Sequence, residues 1–254
     1  MTFGVSGDSY DRTMGRYSRK LGPQLIAFAG IEPGTRALDV GCGSGMLTSA
    51  LADRLGATSV AAADPSETLL AACADRVPGA DVRLAPAEDL PWPEESFDAV
   101  LSQLVLNFVS DADAALAEMR RVVVAGGTVA SCTWDYAGGM RMLQTFWETA
   151  LELDPTAPTE HAMRYSSAEA LAALWERGGL ESIETAPLEV EVGYRDFDNL
   201  WSGFLLGVGP AGGYCASLDP ERREALRRGY FRRLGSPEGA FALSARAYAV
   251  RGSR

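Results

Sequence analysis

The chain is poor in the residues that build metal centres and disulfide frameworks. Its 254 residues include one histidine, His161, and four cysteines, which are Cys42, Cys73, Cys132 and Cys215. No two cysteines form a CxxC pair, so neither a zinc site nor a redox motif of that type is predicted. Scattered thiols favour a reduced protein, and we expect it to be cytoplasmic and to hold no metal.

Positive charge and long apolar segments are also scarce. Lys and Arg number 23 against 34 Asp and Glu, which gives a net charge of −11. Such a chain would repel a polyanionic partner, because nucleic-acid binding depends on cations that neutralise phosphates. Residues 1–22 contain no apolar signal core, and no apolar run is long enough to cross a bilayer. We therefore expect neither a nucleic-acid substrate nor a membrane span.

A short apolar segment that breaks into alternating glycines organises the rest of the sequence. Residues 36–40 suit a buried strand that contains one acid, Asp39, and residues 41–45 read Gly-Cys-Gly-Ser-Gly. Glycines allow a tight turn whose bare backbone can approach a ligand. A helix is predicted to leave this turn at residues 46–55, and its free amides make the loop a candidate nucleotide or anion site.

Strands and helices alternate along the first half of the chain. Apolar segments predict strands at residues 36–40, 59–64, 81–85, 97–102 and 128–132. Helical spacing and capping signals predict helices at residues 21–29, 46–55, 65–76 and 112–124. This alternation is typical of an α/β fold with a doubly wound parallel sheet, whose ligand site lies at the carboxyl ends of the strands.

The pattern is weaker after residue 135. Helices are predicted at residues 141–153, 167–177, 197–206 and 220–234, and longer strands at residues 183–192 and 241–250. The glycine-rich residues 207–213 are predicted to be a loop that acts as a hinge or entrance. No linker divides the chain, so we expect one domain. Its parts would be a cofactor-binding core at residues 10–135, an acceptor-binding lid at residues 136–215, and a closing helix and strand at residues 216–254.

The acids near the glycine loop narrow the class of ligand. Dinucleotide enzymes also use a glycine loop, but Met46 stands where their pattern has a further Gly or Ala. Asp39 would repel a pyrophosphate and could attract an ammonium or sulfonium group, directly or through water. Asp64, at the end of the second strand, offers two acceptors to a ribose diol, or caps the helix that follows Pro65.

Several motifs in a fixed order resemble one family. They are LDVGCGSG at residues 38–45, DPS at residues 64–66, LPWP with SFD at residues 90–98, and EMRRV at residues 118–122 before Gly126-Gly127. Over roughly residues 10–135 the chain resembles class I S-adenosylmethionine-dependent methyltransferases. The similarity is greatest to the branch that includes the ubiquinone and menaquinone biosynthesis C-methyltransferases. From residue 135 onward the likeness is loose and identifies no substrate.

The resemblance implies both a fold and a cofactor site. The fold is a Rossmann-like sheet of seven strands, the last one antiparallel, and residues 241–250 are a candidate for that strand. The residues assigned to S-adenosylmethionine are Tyr10, Arg16, Asp39, Gly41, Cys42, Gly43, Gly45, Asp64, Pro65, Ser66, Ala87, Glu88, Gln103 and Leu104. The glycines would pass under the methionine part of the cofactor and Asp64 would hold the ribose. Pro65 and Ser66 would border the adenine, while Gln103 and Leu104 would approach the sulfonium.

Two further assignments concern the ends of the cofactor. Arg16 is expected to bind the methionine carboxylate, since a guanidinium binds a carboxylate in two-pronged fashion. Tyr10 and Arg16 could equally belong to a helix that merely docks on the surface. Pro86 stands where the family usually has an Asp before Ala87-Glu88. The adenine amino group would then be met by the Ala87 backbone, Glu88, Asp89 or water.

Three residues are candidates for a catalytic base. His161 lies in a polar loop, where it is either an exposed residue or a proton acceptor for a substrate hydroxyl or amine. Asn107 stands where the family commonly has a histidine after the fourth strand. Asp135 lies beside Trp134, on the ligand side of the fifth strand.

The expected function is transfer of the methyl group of S-adenosylmethionine to a small-molecule acceptor. The methylated atom would be O, N or an activated C, the product S-adenosylhomocysteine, and the protein a monomer or homodimer. One alternative is an S-adenosylmethionine-binding protein with other chemistry or a binding role. A nicotinamide-dependent oxidoreductase is a further alternative, which Met46 and Asp39 disfavour.

Overall fold

One mixed sheet forms the centre of the protein. A computed structural model describes residues 11–254. The strands are β1 (Ala37–Val40), β2 (Val60–Asp64), β3 (Asp81–Leu84), β4 (Phe97–Gln103), β5 (Val123–Trp134), β6 (Glu181–Tyr194) and β7 (Phe241–Ser253). Their order across the sheet is β3-β2-β1-β4-β5-β7-β6, and the first five are parallel. Strand β7 runs antiparallel to both β5 and β6. The predicted Rossmann-like sheet of seven strands with an antiparallel last strand is confirmed.

Helices cover both faces of this sheet. They are α1 (Gly15–Phe28), α2 (Met46–Leu55), α3 (Glu67–Arg76), α4 (Ala112–Val122), α5 (Arg141–Leu153), α6 (Ala168–Arg177), α7 (Phe197–Phe204), α8 (Gly209–Ser217) and α9 (Pro220–Arg233). Side chains fix several helix starts. Asp111, Ser167, Asp196 and Asp219 each accept a backbone N–H from the first turn of the helix that follows, which satisfies one of the amides left free there.

The apolar core lies on the two sides of the central strands. Every residue of β1 and β2 is buried, as expected for parallel strands that are covered on both faces. One cluster includes Leu21 of α1, Leu51 of α2 and Phe146 of α5. The other includes Met119 of α4 and Trp175 of α6. The strand ends between these layers are therefore held rigidly.

Several segments differ from the sequence-based prediction. Residues 207–213 are not a continuous loop, because α8 begins at Gly209. Pro210 lies in the first turn of that helix, where its missing N–H costs no hydrogen bond. Residues 125–127 do not end the fourth helix as a turn but belong to β5, which begins at Val123. Strand β6 also lies within residues 136–215, so that segment contains part of the sheet as well as the predicted lid.

No helix within residues 11–254 has the length and apolar character needed to cross a membrane. Nor do three or more His, Cys, Asp or Glu side chains of these residues come together as a metal site. The four cysteines are buried and unbridged.

Candidate functional site

A cavity of about 670 Å³ lies at the carboxyl ends of β1, β2 and β4. The predicted cofactor residues that line it are Asp39, Gly41, Cys42, Gly43, Asp64, Pro65, Ser66, Ala87, Glu88, Gln103 and Leu104. The order of the strands reverses between β1 and β4, and a doubly wound sheet has its ligand crevice at such a point. The topology thus brings together residues that are far apart in sequence. Of the remaining predicted residues, Gly45 and Arg16 do not line the cavity, and Tyr10 lies outside the described residues.

Two glycines of the loop have different physical roles. Gly43 has a φ of 53°, and a Cβ built there would meet no atom within 4 Å. Its bare backbone therefore leaves room for a ligand beside it. Gly45 has a φ of 85°, and a Cβ there would come within 2.8 Å of Sγ of Cys73 on α3. Gly45 is thus required by the close packing of α3 against the loop rather than by the cavity.

The Asp64 carboxylate joins the glycine loop to the end of β2. Its Oδ2 accepts the Gly43 N–H at 2.9 Å, and its Oδ1 accepts the Ser66 N–H at 2.8 Å. Burial raises the pKa of Asp64, while the two N–H donors lower it. A carboxylate has about four acceptor positions, so Asp64 can still accept hydrogen bonds from a ligand.

Three buried oxygens in the cavity wall have no hydrogen-bond partner among the described residues. They are Asp39 Oδ1, Gln103 Oε1 and Ser18 Oγ. The other carboxylate oxygen of Asp39 accepts the Thr48 hydroxyl at 2.7 Å, and Gln103 Nε2 donates to the Ser18 carbonyl at 3.2 Å. Buried acceptors without donors are costly. Asp39 combines such an oxygen with a place in the cavity lining, so a cationic ligand group beside it would be favoured.

Burial changes the acidity of Asp39. The side chain is 1% exposed, and this burial raises its pKa to about 7, although the hydrogen bond from Thr48 lowers it. A cation beside the carboxylate would favour its ionised form. Asp39 is therefore placed to lose a proton when a cationic ligand group arrives near neutral pH.

Leu104 has a rare backbone conformation at the end of β4. Its φ is 64°, in the left-handed region that residues with a Cβ seldom adopt. The Leu104 N–H donates to the Cys132 carbonyl at 2.8 Å, which holds the turn against β5. Such strain persists where surrounding contacts enforce it, and it is concentrated at functional sites. Here it directs the chain along the cavity wall.

Arg16 does not line the cavity. Its Nη1 donates to Oδ1 of Asn199 at 2.9 Å, and its guanidinium lies 5.3 Å from the ring centroid of Tyr194. These contacts join α1 to α7 and β6. The predicted helix began at residue 21, whereas α1 begins at Gly15 and includes Arg16.

Asp11 connects the N-terminal segment to the glycine loop. Its Oδ1 accepts the Ser44 hydroxyl at 2.6 Å, and its Oδ2 forms an ion pair with Arg76 of α3. Arg76 also donates to the Ser44 carbonyl. Sequence reasoning missed this network, because its members are far apart in the chain and carry no shared motif.

None of the three candidate bases lines the cavity. His161 is exposed, and Asp135 is paired with Arg246 at 2.6 Å. Asn107 is buried and donates to the Tyr136 hydroxyl at 3.2 Å, while its Oδ1 has no partner among residues 11–254. Asn107 thus reaches the cavity only through Tyr136, which does line it.

The part of the cavity lining that follows Gln103 in the chain is mostly apolar and contains one acid. Its apolar part includes Leu104, Phe108, Trp134, Leu143, Val208 and Ala211. The acid is Glu160, which is 4% exposed and accepts a hydrogen bond from Trp147 Nε1 at 2.8 Å. Sequence reasoning missed Glu160, since a single acid in a polar, proline-containing loop carries no signal of burial.

Known proteins match this chain over its core and over nearly its full length. Residues 38–131 match a family model described as a methyltransferase domain. The malonyl-[acyl-carrier protein] O-methyltransferase of Geobacter sulfurreducens is 30% identical over 250 residues, covering 96% of this chain and 92% of that protein. The chain belongs to the class I S-adenosylmethionine-dependent methyltransferases. Its resemblance to them is confirmed.

Other relatives of this methyltransferase match a shorter region. A ubiquinone/menaquinone biosynthesis C-methyltransferase of Burkholderia cenocepacia is 32% identical over 176 residues, which is 63% of this chain and 72% of that protein. An uncharacterised protein of Mycobacterium tuberculosis is 40% identical over 130 residues, which is 49% of this chain and 47% of that protein. The chain therefore spans about half the length of this last relative.

Solved structures show how widely the fold is used. The [4+2]-cyclase SpnF matches this methyltransferase with a TM-score of 0.54 and 18% identity, over 92% of this chain and 81% of that chain. The similarity concerns the fold alone. Because that protein is a cyclase by name, the fold does not by itself decide the reaction.

S-adenosylmethionine is the cofactor of this family, and the cavity fits it. The acid Asp39 in the cavity lining suits the positive charge of a methionine ammonium group. The space beside Gly43 admits the methionine chain, and Asp64 can still accept from hydroxyls. The residues present therefore suit both the cationic and the hydroxyl-bearing parts of this cofactor.

Proposed function

We propose that this protein transfers the methyl group of S-adenosylmethionine to a small-molecule acceptor. The observation that carries the proposal is the corner of the cavity lined by the acids Asp39 and Asp64 and by the open backbone of Gly43. The part of the lining that follows Gln103 in the chain is mostly apolar. A phosphate-rich dinucleotide would bring negative charge to an acid, whereas a methionine ammonium brings donors and positive charge.

The cofactor would extend from this corner along the ends of β1 and β2. Asp64 would accept from the ribose hydroxyls while its bonds to Gly43 and Ser66 hold the loop in place. Pro65 would pack against the adenine from one side and Ala87 from the other, since both line the cavity. Buried apolar contact and fixed hydrogen bonds together would select this ligand.

Glu88 is the charged group nearest the proposed adenine position. Its Oε1 accepts the Ser110 hydroxyl at 2.8 Å and the Ser110 N–H at 3.1 Å. One carboxylate oxygen is therefore occupied by protein donors, and the other can face the adenine amino group. This arrangement supplies an acceptor where Pro86 replaces the family's acid.

Rate acceleration would come from orientation and the exclusion of water. When bound, S-adenosylmethionine supplies an electrophilic methyl group on a sulfonium. The rigid turn at Leu104 and the buried ring of Trp134 would fix the direction of attack. Helices α5, α7 and α8, with the loop at residues 154–166, would form the lid on the acceptor side. Residues 11–135 would form the core beneath it.

Release of S-adenosylhomocysteine tests the proposal. The protein would be incubated with methyl-labelled S-adenosylmethionine and a panel of small amines, phenols and quinols, with nucleic acid and a protein digest as comparators. We expect label on at least one small molecule and on neither comparator. Cofactor binding without product from any acceptor would favour the alternative, a protein that binds S-adenosylmethionine for another purpose.

The cellular location and the oligomeric state are also part of the proposal. The scattered thiols, which are unbridged among the described residues, support a cytoplasmic protein. We propose a monomer or homodimer, and light scattering coupled to gel filtration distinguishes the two. A larger assembly would contradict it.

A further inference from the structure

A buried carboxylate that is not among the proposed cofactor residues lines the same cavity. Glu160, in the loop between α5 and α6, lines the cavity and is 4% exposed. Its Oε2 accepts the Trp147 Nε1–H at 2.8 Å. Trp147 is itself fully buried, so this bond fixes the carboxylate. The second oxygen, Oε1, has no hydrogen-bond partner among the described residues and is available to a ligand.

The charged and titratable groups around Glu160 do not compensate its charge. Arg164 donates to a backbone carbonyl at 2.6 Å, Asp154 accepts within its own turn at 2.6 Å, and His161 is exposed. Tyr214 packs against the indole of α5, with ring centroids 5.5 Å apart. Glu148 and Glu152 of α5 both pair with Arg233 of α9. An unpaired carboxylate in an apolar wall is costly unless a ligand supplies a donor.

We propose that Glu160 accepts the proton of the acceptor's nucleophilic atom, and that this atom is an amine nitrogen or a hydroxyl oxygen. The inference rests on the proposed function, because S-adenosylmethionine in the same cavity supplies the electrophile. An N–H or O–H group gives the free oxygen of Glu160 the donor that it lacks. An acceptor that reacts through carbon, with no N–H or O–H, would leave the carboxylate without a partner.

The transfer step balances with these groups alone. The lone pair of the acceptor N or O forms a bond to the methyl carbon, and the carbon–sulfur bond breaks with its electron pair left on sulfur. The sulfonium becomes a neutral thioether, which is S-adenosylhomocysteine. The proton of the acceptor moves to Oε1 of Glu160 and passes to solvent when the product leaves.

The acidity of Glu160 suits this role. Burial raises its pKa to about 7, and the hydrogen bond from Trp147 lowers it from what burial alone would give. A general base works best when its pKa is close to the operating pH. Because only the ionised carboxylate accepts a proton, activity should rise with pH through about 7.

Glu160→Gln tests the inference, since glutamine keeps an acceptor for Trp147 but cannot take the proton. The kcat/KM for the acceptor is measured at saturating S-adenosylmethionine across pH. We expect a loss of about 100-fold and a pH profile without its rising limb. Cofactor affinity should be unchanged. Glu176→Gln, which removes the same charge from an exposed position of α6, is the matched control and should leave the profile unchanged.

The assay compares three classes of acceptor, which are amines, phenols, and molecules that react through carbon and carry no N–H or O–H group. A wild-type enzyme that methylates amines or phenols, and loses this activity in Glu160→Gln, supports the inference. Equal activity in Glu160→Gln overturns the role of Glu160 and leaves the proposed function intact. Methylation of an acceptor that has no N–H or O–H group has the same meaning. No turnover by the wild type on any acceptor overturns the proposed function itself.

Trp147→Phe provides a second test in which Glu160 itself is not substituted. It keeps an aromatic ring in the core but removes the donor to Glu160. Because that donor lowers the pKa of the carboxyl group, its loss should move the rising limb of the profile to higher pH. An unmoved limb in a variant with a normal thermal melt would overturn the role of Glu160.

Discussion

At the scale of single residues, the site is defined by groups whose hydrogen bonds are incomplete. Asp39 has one carboxylate oxygen bonded to Thr48 and one without a partner among the described residues. Gln103 donates through Nε2 to the Ser18 carbonyl, and its Oε1 has no partner among the described residues. Gly43 leaves open space beside them. The pattern of glycines and acids predicted these residues, because each lies at the end of a strand that apolar periodicity locates.

Gly43→Ala should weaken S-adenosylmethionine binding by about 10-fold, since its methyl group would enter the space proposed for the methionine chain. Gly34→Ala is the matched control. That residue also has a positive φ, 95°, and open space around it, but lies in an exposed turn away from the cavity. Both variants should lose similar stability in thermal melts. Equal cofactor affinity in the two would contradict the assignment of Gly43.

Asp39 should make cofactor binding depend on pH. Its pKa is about 7 in the ligand-free protein, and a nearby ammonium favours ionisation. Binding should therefore release a proton and become tighter between about pH 6 and pH 8. Calorimetric titrations in buffers of different ionisation enthalpy measure that proton. In Asp39→Asn the affinity should be weaker and its pH dependence smaller, whereas an unchanged slope would assign the proton to another group.

Arg16 and Glu160 show that a sequence pattern does not give the direction of a side chain. Arg16 was expected at the cofactor and instead contacts Asn199 and Tyr194. Glu160 was not predicted, yet it is buried against Trp147. A sequence pattern reports which residues share an element, but these contacts join elements whose relative positions only the tertiary structure fixes.

At the scale of elements, the segment before α1 is hydrogen-bonded to the glycine loop. Asp11 accepts the hydroxyl of Ser44 at 2.6 Å and pairs with Arg76 of α3. The N-terminal segment and the loop should therefore move together. A ligand that orders one would order the other, which gives this network a role in cofactor affinity.

Asp11→Asn should weaken S-adenosylmethionine binding by several-fold and speed its dissociation. The ion pair with Arg76 is partly buried, so its loss removes about 1 kcal/mol of support for the loop. Glu32→Gln is the control, because it breaks an ion pair with Arg54 that is largely exposed. Stopped-flow displacement of the cofactor gives both dissociation rates. Identical rates would show that the network does not stabilise the bound loop.

Element boundaries were predicted best for two helices, although neither has a side-chain cap at its start. The predicted bounds of α2 and α5 match the structure. The glycine-rich segment before residue 214 was predicted to be a loop, but α8 begins at Gly209. The low helix propensity of glycine favoured the loop, and packing of Ala211 and Cys215 in the core overrides it.

At the scale of the whole molecule, the alternation of strands and helices predicted the parallel part of the sheet, since parallel strands with helical crossovers have few allowed arrangements. The seven strands with an antiparallel last strand followed from the resemblance to the family, and the order β3-β2-β1-β4-β5-β7-β6 agrees with it. The proposed acceptor side could not be predicted in this way. We propose that it is formed largely by segments after residue 135, where the motifs end.

The ligand-free protein should become less stable as pH rises towards neutrality. Asp39 and Glu160 both have a pKa of about 7 in the folded protein, above their ordinary values. The folded state therefore binds more protons than the unfolded state, and this stabilisation is lost as pH rises through about 7. Each group contributes a slope of at most about 1.4 kcal/mol per pH unit.

Denaturant unfolding between about pH 5 and pH 8 measures that slope. The double variant Asp39→Asn with Glu160→Gln should show a flatter dependence than the wild type, since neither amide titrates. Glu176→Gln should not change it. A double variant with the wild-type slope would mean that other groups control the stability in this range.

Isothermal titration of S-adenosylmethionine into the wild-type protein at about pH 8, with NADH and Asp39→Asn as comparators, tests the central claim most directly. We predict one S-adenosylmethionine per chain, no binding of NADH, and an affinity about 10-fold weaker or more in Asp39→Asn. Failure of the wild type to bind S-adenosylmethionine, or equal affinity in the variant, would contradict the assignment of this cavity.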